Sequence, residues 1–409
     1  MRPACALLCF SVLLTLLTNC QSKTVASADR SSTASSAKAA PPTPVPPPAA
    51  GDAGTPSSIT SEKAAENPLP GMPPLTDPHD IYAADHPNML SPAVRDFVPR
   101  IYVPNTESHT VDVIDPATMK VVDHFPVGRQ PQHVTPSWDM KTLWVLNDKG
   151  NSLTKIDPKT GKKGKTIPVP DPYNMYYTPD GKFAIVVAEQ RMRLEFFDAA
   201  TMKLVNAVYV PCKGVDHMDF SPNGRYLIAS CEFAGAVIKV DVEKQKLIAK
   251  LPIHPGGMPQ DVKLSPDGTV YYVADMHADG VHLIDGEAFK QIGFIPTGKG
   301  AHGLYVSRDS KWLYVSNRGE GSISLIDLAT RKVHTKWQIP GPPASPDMGG
   351  VSADGKVLWL AGRYNSEVYA IDTDNGTLLA RIPVGHGPHG LCVYPQPGRY
   401  SLGHTGIFR

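Results

Sequence analysis

The sequence lacks an excess of charge of either sign. Its 409 residues contain 40 lysines and arginines against 39 aspartates and glutamates, which gives a formal net charge of +1. Acidic and basic residues are interleaved, whereas phosphate binding requires basic residues gathered in a patch or stripe. The composition therefore argues against a nucleic-acid partner.

Several motifs of common enzyme classes are also absent. The chain has no Gly-x-Ser-x-Gly elbow, no Walker loop, no dinucleotide fingerprint, no Cys-x-x-Cys-His and no His-Glu-x-x-His. These absences leave α/β-hydrolase, nucleotide-dependent and c-type haem chemistry without support. If the protein is an enzyme, its chemistry must come from a different arrangement of residues.

The N-terminus has no apolar run long enough for a comfortable permanent membrane span. The run from Ala4 to Leu17 follows Arg2 and ends at Cys20, a pattern typical of a secretion signal occupying residues 1–20. The segment Leu17-Thr18-Asn19-Cys20 resembles the lipobox of bacterial lipoproteins, which implies lipidation of Cys20 and a location on the periplasmic or outer side of the membrane. Ordinary secretion is the alternative, because Asn19 stands where that motif has a small residue.

Residues 21–95 have the composition of a tether. Many of the chain's 41 prolines lie in this part, together with alanine and serine, and such a segment buries little core. We expect it to connect the anchored N-terminus to a folded domain formed by residues 96–409.

That domain contains a sequence repeat. A short hydrophobic run that ends in aspartate occurs seven times, at intervals of 41 to 45 residues, and the final aspartates are Asp115, Asp157, Asp198, Asp241, Asp285, Asp327 and Asp372. The interval matches one four-stranded blade of a β-propeller. Turn signals such as Asp180-Gly181 and Asp267-Gly268 precede most copies and favour tight hairpins.

The repeat resembles the YVTN-repeat β-propeller family. Leu313-Tyr314-Val315-Ser316-Asn317 carries the pattern, with relatives at Ile101–Asn105 and Tyr271–Asp275. The resemblance implies an all-β, seven-bladed propeller of four-stranded antiparallel blades. Because the chain enters on a second strand and the last repeat stops after an inner strand, we expect the C-terminal strand to complete the N-terminal blade. Residues 399–409 are left without a predicted place.

Equivalent repeat positions predict a polar mouth at one end of the axis. In a propeller, the loops that enter the inner strands share one face, so residues just before each hairpin turn gather around the channel. Four histidines and three acids occupy these positions: His133, His217, His302, His389, Asp216, Asp261 and Asp347. Imidazole and carboxylate groups are common transition-metal ligands, and imidazole also ligates haem. We expect the four histidines to form a metal or haem site; hydrogen bonding to neighbouring turns and to a water column is the alternative.

Other side chains are predicted on the same face. Arg318 and Arg363 form a candidate anion clamp with Asp261 and Asp347 as further ligand-binding residues, or they pair with Glu320 and Glu367 at the surface. Cys212 and Cys231 are expected to form a disulfide. A soft metal site with His217, or two free thiols, are the alternatives.

Three functions follow from these features. The first is an extracytoplasmic, monomeric binding protein that takes a small ligand, a metal or a protein partner at the mouth. The second is a metal-dependent enzyme like the lactonases and streptogramin lyases among related propellers, with His217, Glu232 and His302 as candidate catalytic residues. The third is a haem carrier similar to haem d1-binding propellers, with His133, His302 or His389 near the iron. The sequence favours a non-enzymatic role without selecting a ligand.

Overall fold

The computed structural model describes residues 60–409 and shows seven β-sheets arranged as the blades of a propeller. The first blade takes β1 (Arg100–Asn105), β2 (Thr110–Asp115) and β3 (Lys120–Pro126). The second consists of β4 (Pro131–Pro136), β5 (Leu143–Asn147), β6 (Ser152–Asp157) and β7 (Lys162–Pro168). The third has β8 (Asn174–Tyr177), β9 (Phe183–Ala188), β10 (Arg193–Asp198) and β11 (Leu204–Tyr209).

The remaining blades repeat this order. Blade 4 contains β12 (Val215–Phe220), β13 (Tyr226–Cys231), β14 (Ala236–Asp241) and β15 (Lys246–Pro252), and blade 5 contains β16 (Pro259–Leu264), β17 (Val270–Asp275), β18 (Gly280–Asp285) and β19 (Lys290–Pro296). Blade 6 contains β20 (Ala301–Val306), β21 (Trp312–Asn317), β22 (Ser322–Asp327) and β23 (Lys332–Gln338), and blade 7 contains β24 (Pro346–Val351), β25 (Val357–Gly362), β26 (Glu367–Asp372) and β27 (Leu378–Pro383).

The ring closes through strand β28 (Cys392–Tyr394), which pairs antiparallel with β1. Tyr102 lies opposite Cys392 and Ile101 opposite Val393 in this pairing. The C-terminal strand therefore completes the N-terminal blade, which confirms the predicted closure. A ring joined in this way leaves no open edge between its first and last blades.

Burial follows the order of strands in each blade. The inner strands β4, β12, β16 and β24 are buried along their whole length, whereas the outer strands β3, β7 and β15 alternate or are largely exposed. The second and third strands supply the apolar layers between neighbouring blades, because their side chains point to both faces of the sheet. The inner strands are consequently the elements that position side chains at the axis.

The C-terminal tail is part of the propeller core. Strand β29 (Ser401–Gly403) pairs with β8 at Tyr176, and β30 (Ile407–Phe408) pairs back with β29, so blade 3 has six strands. A 3₁₀ turn, His404–Gly406, joins the two short strands. The tail thus crosses the inner edge of blade 3 and brings His404 to the axis.

Residues 66–98 form a strap on the face opposite the mouth. The N–H groups of Leu69, Ile81 and Asn88 donate to carbonyls in the hairpin turns of blades 4, 5 and 7, at 2.7, 2.9 and 2.8 Å. Leu69, Ile81 and Val94 are buried. Part of the segment assigned by composition to the tether is therefore packed against the blades.

The helical elements near the N-terminal end of the described chain are short. Helix α1 (Ser61–Ala65) precedes the strap, and a 3₁₀ turn, Ala83–Asp85, lies within it. Within residues 60–409, no helix combines the length and apolar character needed to cross a membrane. The predicted signal segment, Cys20 and the first part of the tether lie outside the described residues.

Cys212 and Cys231 form a disulfide at the mouth end of blade 4, with their Cα atoms 5.9 Å apart. Cys392 is buried in β28 and is the one free cysteine among the described residues. In mature protein whose chain starts after Cys20, denaturing thiol titration should therefore find one reactive thiol, and three after reduction. Three thiols before reduction would contradict the disulfide.

Candidate metal centre at the propeller axis

Five buried histidines meet at the axis. His133 lies on β4, His217 on β12 and His302 on β20, while His389 precedes β28 and His404 follows β29. None is more than 3% exposed. The structure thus brings the four predicted histidines together and adds a fifth, His404, which belongs to the tail and has no counterpart in the repeat.

His133 is the centre of this cluster. Its ring centroid lies 4.0 Å from that of His404, 4.8 Å from that of His389 and 5.4 Å from that of His217. A Cβ atom at position 390 would lie 1.9 Å from the Nδ1 atom of His133, so glycine is required there. The close approach of Gly390 therefore lets the His133 ring pack against the neighbouring imidazoles.

Three of the rings have the arrangement of a metal-binding group. One nitrogen each from His133, His217 and His404 lie within 4.8 Å of one another. Ring nitrogens bound to one Zn²⁺ ion at about 2.0–2.1 Å would lie about 3.3 Å apart. Closing the triangle requires movements of about 1 Å, which small rotations of the side chains provide.

The electrostatics keep these rings neutral. Burial lowers the pKa of His133, His217, His302 and His404 well below the usual value, and burial lowers the pKa of His389 to about 4. Neutral imidazole is the form that binds metals. All five rings are therefore in the ligand form at neutral pH.

The nitrogens of the two key rings have unequal surroundings. The Nδ1 atom of His217 is 3.0 Å from the Tyr176 hydroxyl and 3.1 Å from the Asn174 amide nitrogen. Within the part of the chain that the structure describes, neither ring nitrogen of His133 has a hydrogen-bond partner. An unpaired buried polar group costs about 1–3 kcal/mol, so the environment of His133 calls for a ligand.

The other two predicted histidines form a second group with Asp347. Its carboxylate is 2.7 Å from the Nδ1 atom of His389, and 3.1 Å from both the Nδ1 atom of His302 and the guanidinium of Arg318. Burial alone would raise the pKa of this carboxyl, but His302, His389 and Arg318 hold the pKa well below its usual range. The group is a buried ion pair with two imidazole partners.

The two arginines have different surroundings. Arg318 is bound to Asp347, while Glu320 pairs with Lys336 and Glu367 with Arg381. The NH1 atom of Arg363 is buried without a hydrogen-bond partner among the described residues. An anion at the mouth would therefore meet Arg363 rather than two equivalent guanidinium groups.

Asp261 has a structural position. Its two carboxylate oxygens accept the backbone N–H groups of Val262 and Leu304, each at 2.9 Å. The bond from Leu304 ties β16 to β20 across the boundary of two blades, while the bond from Val262 lies within β16. The carboxylate lies 3.9 Å from the Nδ1 atom of His217.

Acidic groups lie above the histidines. An oxygen of Asp216 is 3.2 Å from the Nε2 atom of His217, and burial, followed by the charges of Glu232 and Glu189, raises the pKa of Asp216 well above its usual value. Burial likewise raises the pKa of Glu232 and brings that of Glu189 to about 7. The mouth therefore contains carboxyl groups with raised pKa values, and one of them, Asp216, lies next to the candidate ligand His217.

His404 could not be found from the repeat, because a repeat alignment identifies only residues at equivalent positions of the blades. The segment Gly403-His404-Thr405-Gly406 stood outside the repeat, and only its pairing with β8 brings it to the axis. A histidine between two glycines in an otherwise unassigned tail was the available signal. The repeat gave no indication that His404 lies beside His133.

Comparisons with known proteins agree with this architecture. The β-subunit of hydrazine synthase from Kuenenia stuttgartiensis is 23% identical over 236 residues, covering 50% of this chain and 54% of that protein. Antigen Lp49 of Leptospira interrogans is 24% identical and is covered to 67%. This chain spans about half the length of the hydrazine synthase subunit, so the similarity concerns a part of that protein.

Solved structures show the same fold. The hydrazine synthase structure superposes with a TM-score of 0.59 at 21% identity, covering 71% of this chain and 96% of that one. A dihydro-haem d1 dehydrogenase structure has a TM-score of 0.56 at 16% identity, covering 75% and 77%. A model of the YNCE-like β-propeller matches residues 90–398, most of the ring. With its seven closed blades, the chain belongs to the YNCE-like β-propeller family.

Proposed function

We propose that this protein is an extracytoplasmic binding propeller that holds a divalent transition-metal ion at its axis. His133, His217 and His404 are the proposed ligands. The observation that supports this most strongly is His133, which is fully buried with two nitrogens that bond to no described residue. A metal ion bound to one of these nitrogens would remove the free-energy penalty of burying that nitrogen without a partner.

The surrounding residues suit such a site. The Tyr176 hydroxyl and the Asn174 amide contact the Nδ1 atom of His217. Its Nε2 atom, 3.2 Å from an Asp216 oxygen, has no hydrogen-bond partner among the described residues and would face the ion. Contacts of this kind fix the orientation of ligand imidazoles. Three neutral imidazoles favour zinc, copper, nickel or iron over magnesium or calcium. The bound ion would act as a Lewis acid toward a ligand that enters through the mouth.

The packing favours an ion over a haem. The His133 ring lies against three other imidazoles and against Gly390. A porphyrin needs a slot wide enough for its macrocycle beside the axial ligand, and these contacts leave no such slot next to His133. The packing around His133 therefore supports an ion rather than a haem at this ring.

An enzymatic role is the second candidate, supported by the carboxyl groups near the proposed ion. Asp216 and Glu232 have pKa values raised by burial, and carboxyl groups shifted in this direction are suited to general acid–base roles. Together with a metal, they would suit proton transfer on a ligand oxygen, as in the metal-dependent lactonases and lyases that share this architecture.

Metal analysis and a visible absorption spectrum of protein purified from its native source, without chelators, test the proposal. We expect a stoichiometric transition metal and no Soret band. A Soret band would contradict the exclusion of haem, and the absence of both metal and haem would contradict a metal centre.

We also propose that the protein is anchored by a lipid on Cys20 and exposed to an oxidising compartment. The disulfide between Cys212 and Cys231 supports such a compartment, since disulfides persist there. Replacing Cys20 with alanine should move the protein from the membrane to the soluble fraction, as measured by fractionation and immunoblotting. Unchanged membrane association would contradict the lipid anchor.

A further inference from the structure

One position of the repeat ties the mouth loops to the blades. In blade 2, the last residue of the second strand, Asn147, donates from its amide to the Thr154 hydroxyl at 3.0 Å, and its Oδ1 atom accepts the Gly128 N–H at 3.0 Å. In blade 6, Asn317 donates to the Ser324 hydroxyl at 2.9 Å. The asparagine and a hydroxyl seven residues later therefore form a structural pair.

Blade 5 has a carboxylate and an imidazole at these two positions. Asp275 replaces the asparagine and His282 replaces the hydroxyl residue. The Oδ1 atom of Asp275 accepts the N–H groups of Met258, His277 and Ala278 at 2.9, 2.9 and 3.0 Å. Three backbone donors thus hold the carboxylate in one orientation and leave its second oxygen for other partners.

That second oxygen faces two imidazoles. The Oδ2 atom of Asp275 is 3.1 Å from the Nδ1 atom of His254 and 3.3 Å from the Nε2 atom of His282. One ligand atom from each of His254, Asp275 and His282 lies within 4.8 Å of the other two, so a single ion can contact all three side chains.

The geometry suits a tetrahedral ion. Two ligand atoms on one Zn²⁺ ion, each about 2.0–2.1 Å away, lie about 3.3 Å apart, close to both distances from the Oδ2 atom. The Asp275 and His282 side chains are 0% and 5% exposed, and that of His254 is 36% exposed. Two ligands are thus fixed in the blade, and the third lies at the surface, where an ion enters and water completes the coordination.

A neighbouring side chain controls the His282 ring. The amide nitrogen of Gln291 lies 3.0 Å from the Nδ1 atom of His282, and a 180° flip of the amide would place its oxygen there. An amide can present either its oxygen or its nitrogen. When its oxygen accepts a proton from Nδ1, the Nε2 atom of His282 has a free lone pair, which is the usual arrangement around a metal-bound histidine.

We propose that His254, Asp275 and His282 form a second site for a divalent transition metal, separate from the axial histidines. It lies at the mouth end of blade 5 and uses repeat positions that elsewhere hold the structural asparagine and hydroxyl. The ligand set of two imidazoles and one carboxylate selects zinc, or a similar ion, over magnesium and calcium.

The double substitution Asp275→Asn and His282→Ser tests the site, because it installs the pair that blade 6 already uses. The probe is ZnCl₂, titrated calorimetrically into the full mature chain after chelator treatment, with circular dichroism as the folding check. Wild type should bind one more Zn²⁺ per chain than the double variant. The matched control, His277→Ala, removes a neighbouring imidazole whose Nδ1 atom contacts the Gly256 carbonyl at 3.0 Å, and it should keep the ion.

Equal zinc stoichiometry in wild type and a folded double variant would overturn the proposal. So would loss of the ion in His277→Ala with retention in the double variant. The result is independent of the axial site, which a His133 variant tests separately. An ion lost from the double variant alone supports the blade 5 site even if the axial proposal fails.

Discussion

Replacing His133 with leucine is expected to weaken zinc binding at the axis by more than about 100-fold while leaving the metal-free protein as stable as wild type, or more stable. Structural zinc sites contribute about 10–16 kcal/mol from four ligands, so one ligand is worth about 3 kcal/mol, or more than 100-fold in affinity. Leucine has a similar volume and removes two buried nitrogens that lack partners among the described residues. Calorimetric zinc titration and urea unfolding in chelator measure the two effects.

The control for this change is His334→Leu. His334 is exposed on β23, the outermost strand of blade 6. We therefore expect its replacement to leave zinc affinity and stability unchanged. The opposite pattern at His133, with stability lost and zinc affinity kept, would identify the imidazole as a structural group hydrogen-bonded to water. That pattern would reject the metal centre.

Phe408→Ala is expected to lower the free energy of unfolding by about 3–5 kcal/mol, because it empties a fully buried aromatic position. Phe408 packs in the cluster with Tyr102 and Tyr394 that joins the closing strand to the first blade. Its strand, β30, also holds the turn that carries His404. We therefore expect weaker axial zinc binding in addition to the loss of stability.

Urea unfolding in chelator, followed by circular dichroism, measures this change. The control is Leu379→Ala on the outer strand β27, where the side chain is 45% exposed, and we expect a loss below about 1 kcal/mol. A similarly small loss of stability for Phe408→Ala would show that the C-terminal tail is not packed into the propeller core as described. The axial position of His404 would then lose its support.

The seven blades and their closure could be predicted from the sequence because both follow from local periodicity. The aspartates at intervals of 41 to 45 residues fix the phase of each blade, and that phase places His133 and His217 at the axis. The partner strand of β1 follows from counting strands. In a repeat fold, equivalent positions carry equivalent geometry, so alignment by itself brings distant residues together.

The tail and the strap could not be predicted in this way. Gly403 meets Tyr176 across more than two hundred residues of sequence, and no repeat position encodes this pairing. Leu69 stands between two prolines and Ile81 begins a short apolar run, and each is buried by a different blade. Contacts that occur once in the fold leave no periodic signal.

The contacts between side chains at the mouth could not be predicted from the repeat alignment either. The repeat placed Asp347 and Arg318 on the same face, but their contact depends on rotamers across a blade boundary. Arg318 is thereby bound to a carboxylate, whereas the NH1 atom of Arg363 has no hydrogen-bond partner among the described residues. Periodicity therefore identifies the residues around the axis, while packing determines which of them interact.

The most direct test of the axial metal centre is anomalous diffraction from crystals of chelator-treated protein soaked in ZnCl₂. We predict a zinc peak about 2.0–2.2 Å from one ring nitrogen each of His133, His217 and His404. Water density hydrogen-bonded to these rings, with no anomalous peak between them, would contradict the metal centre.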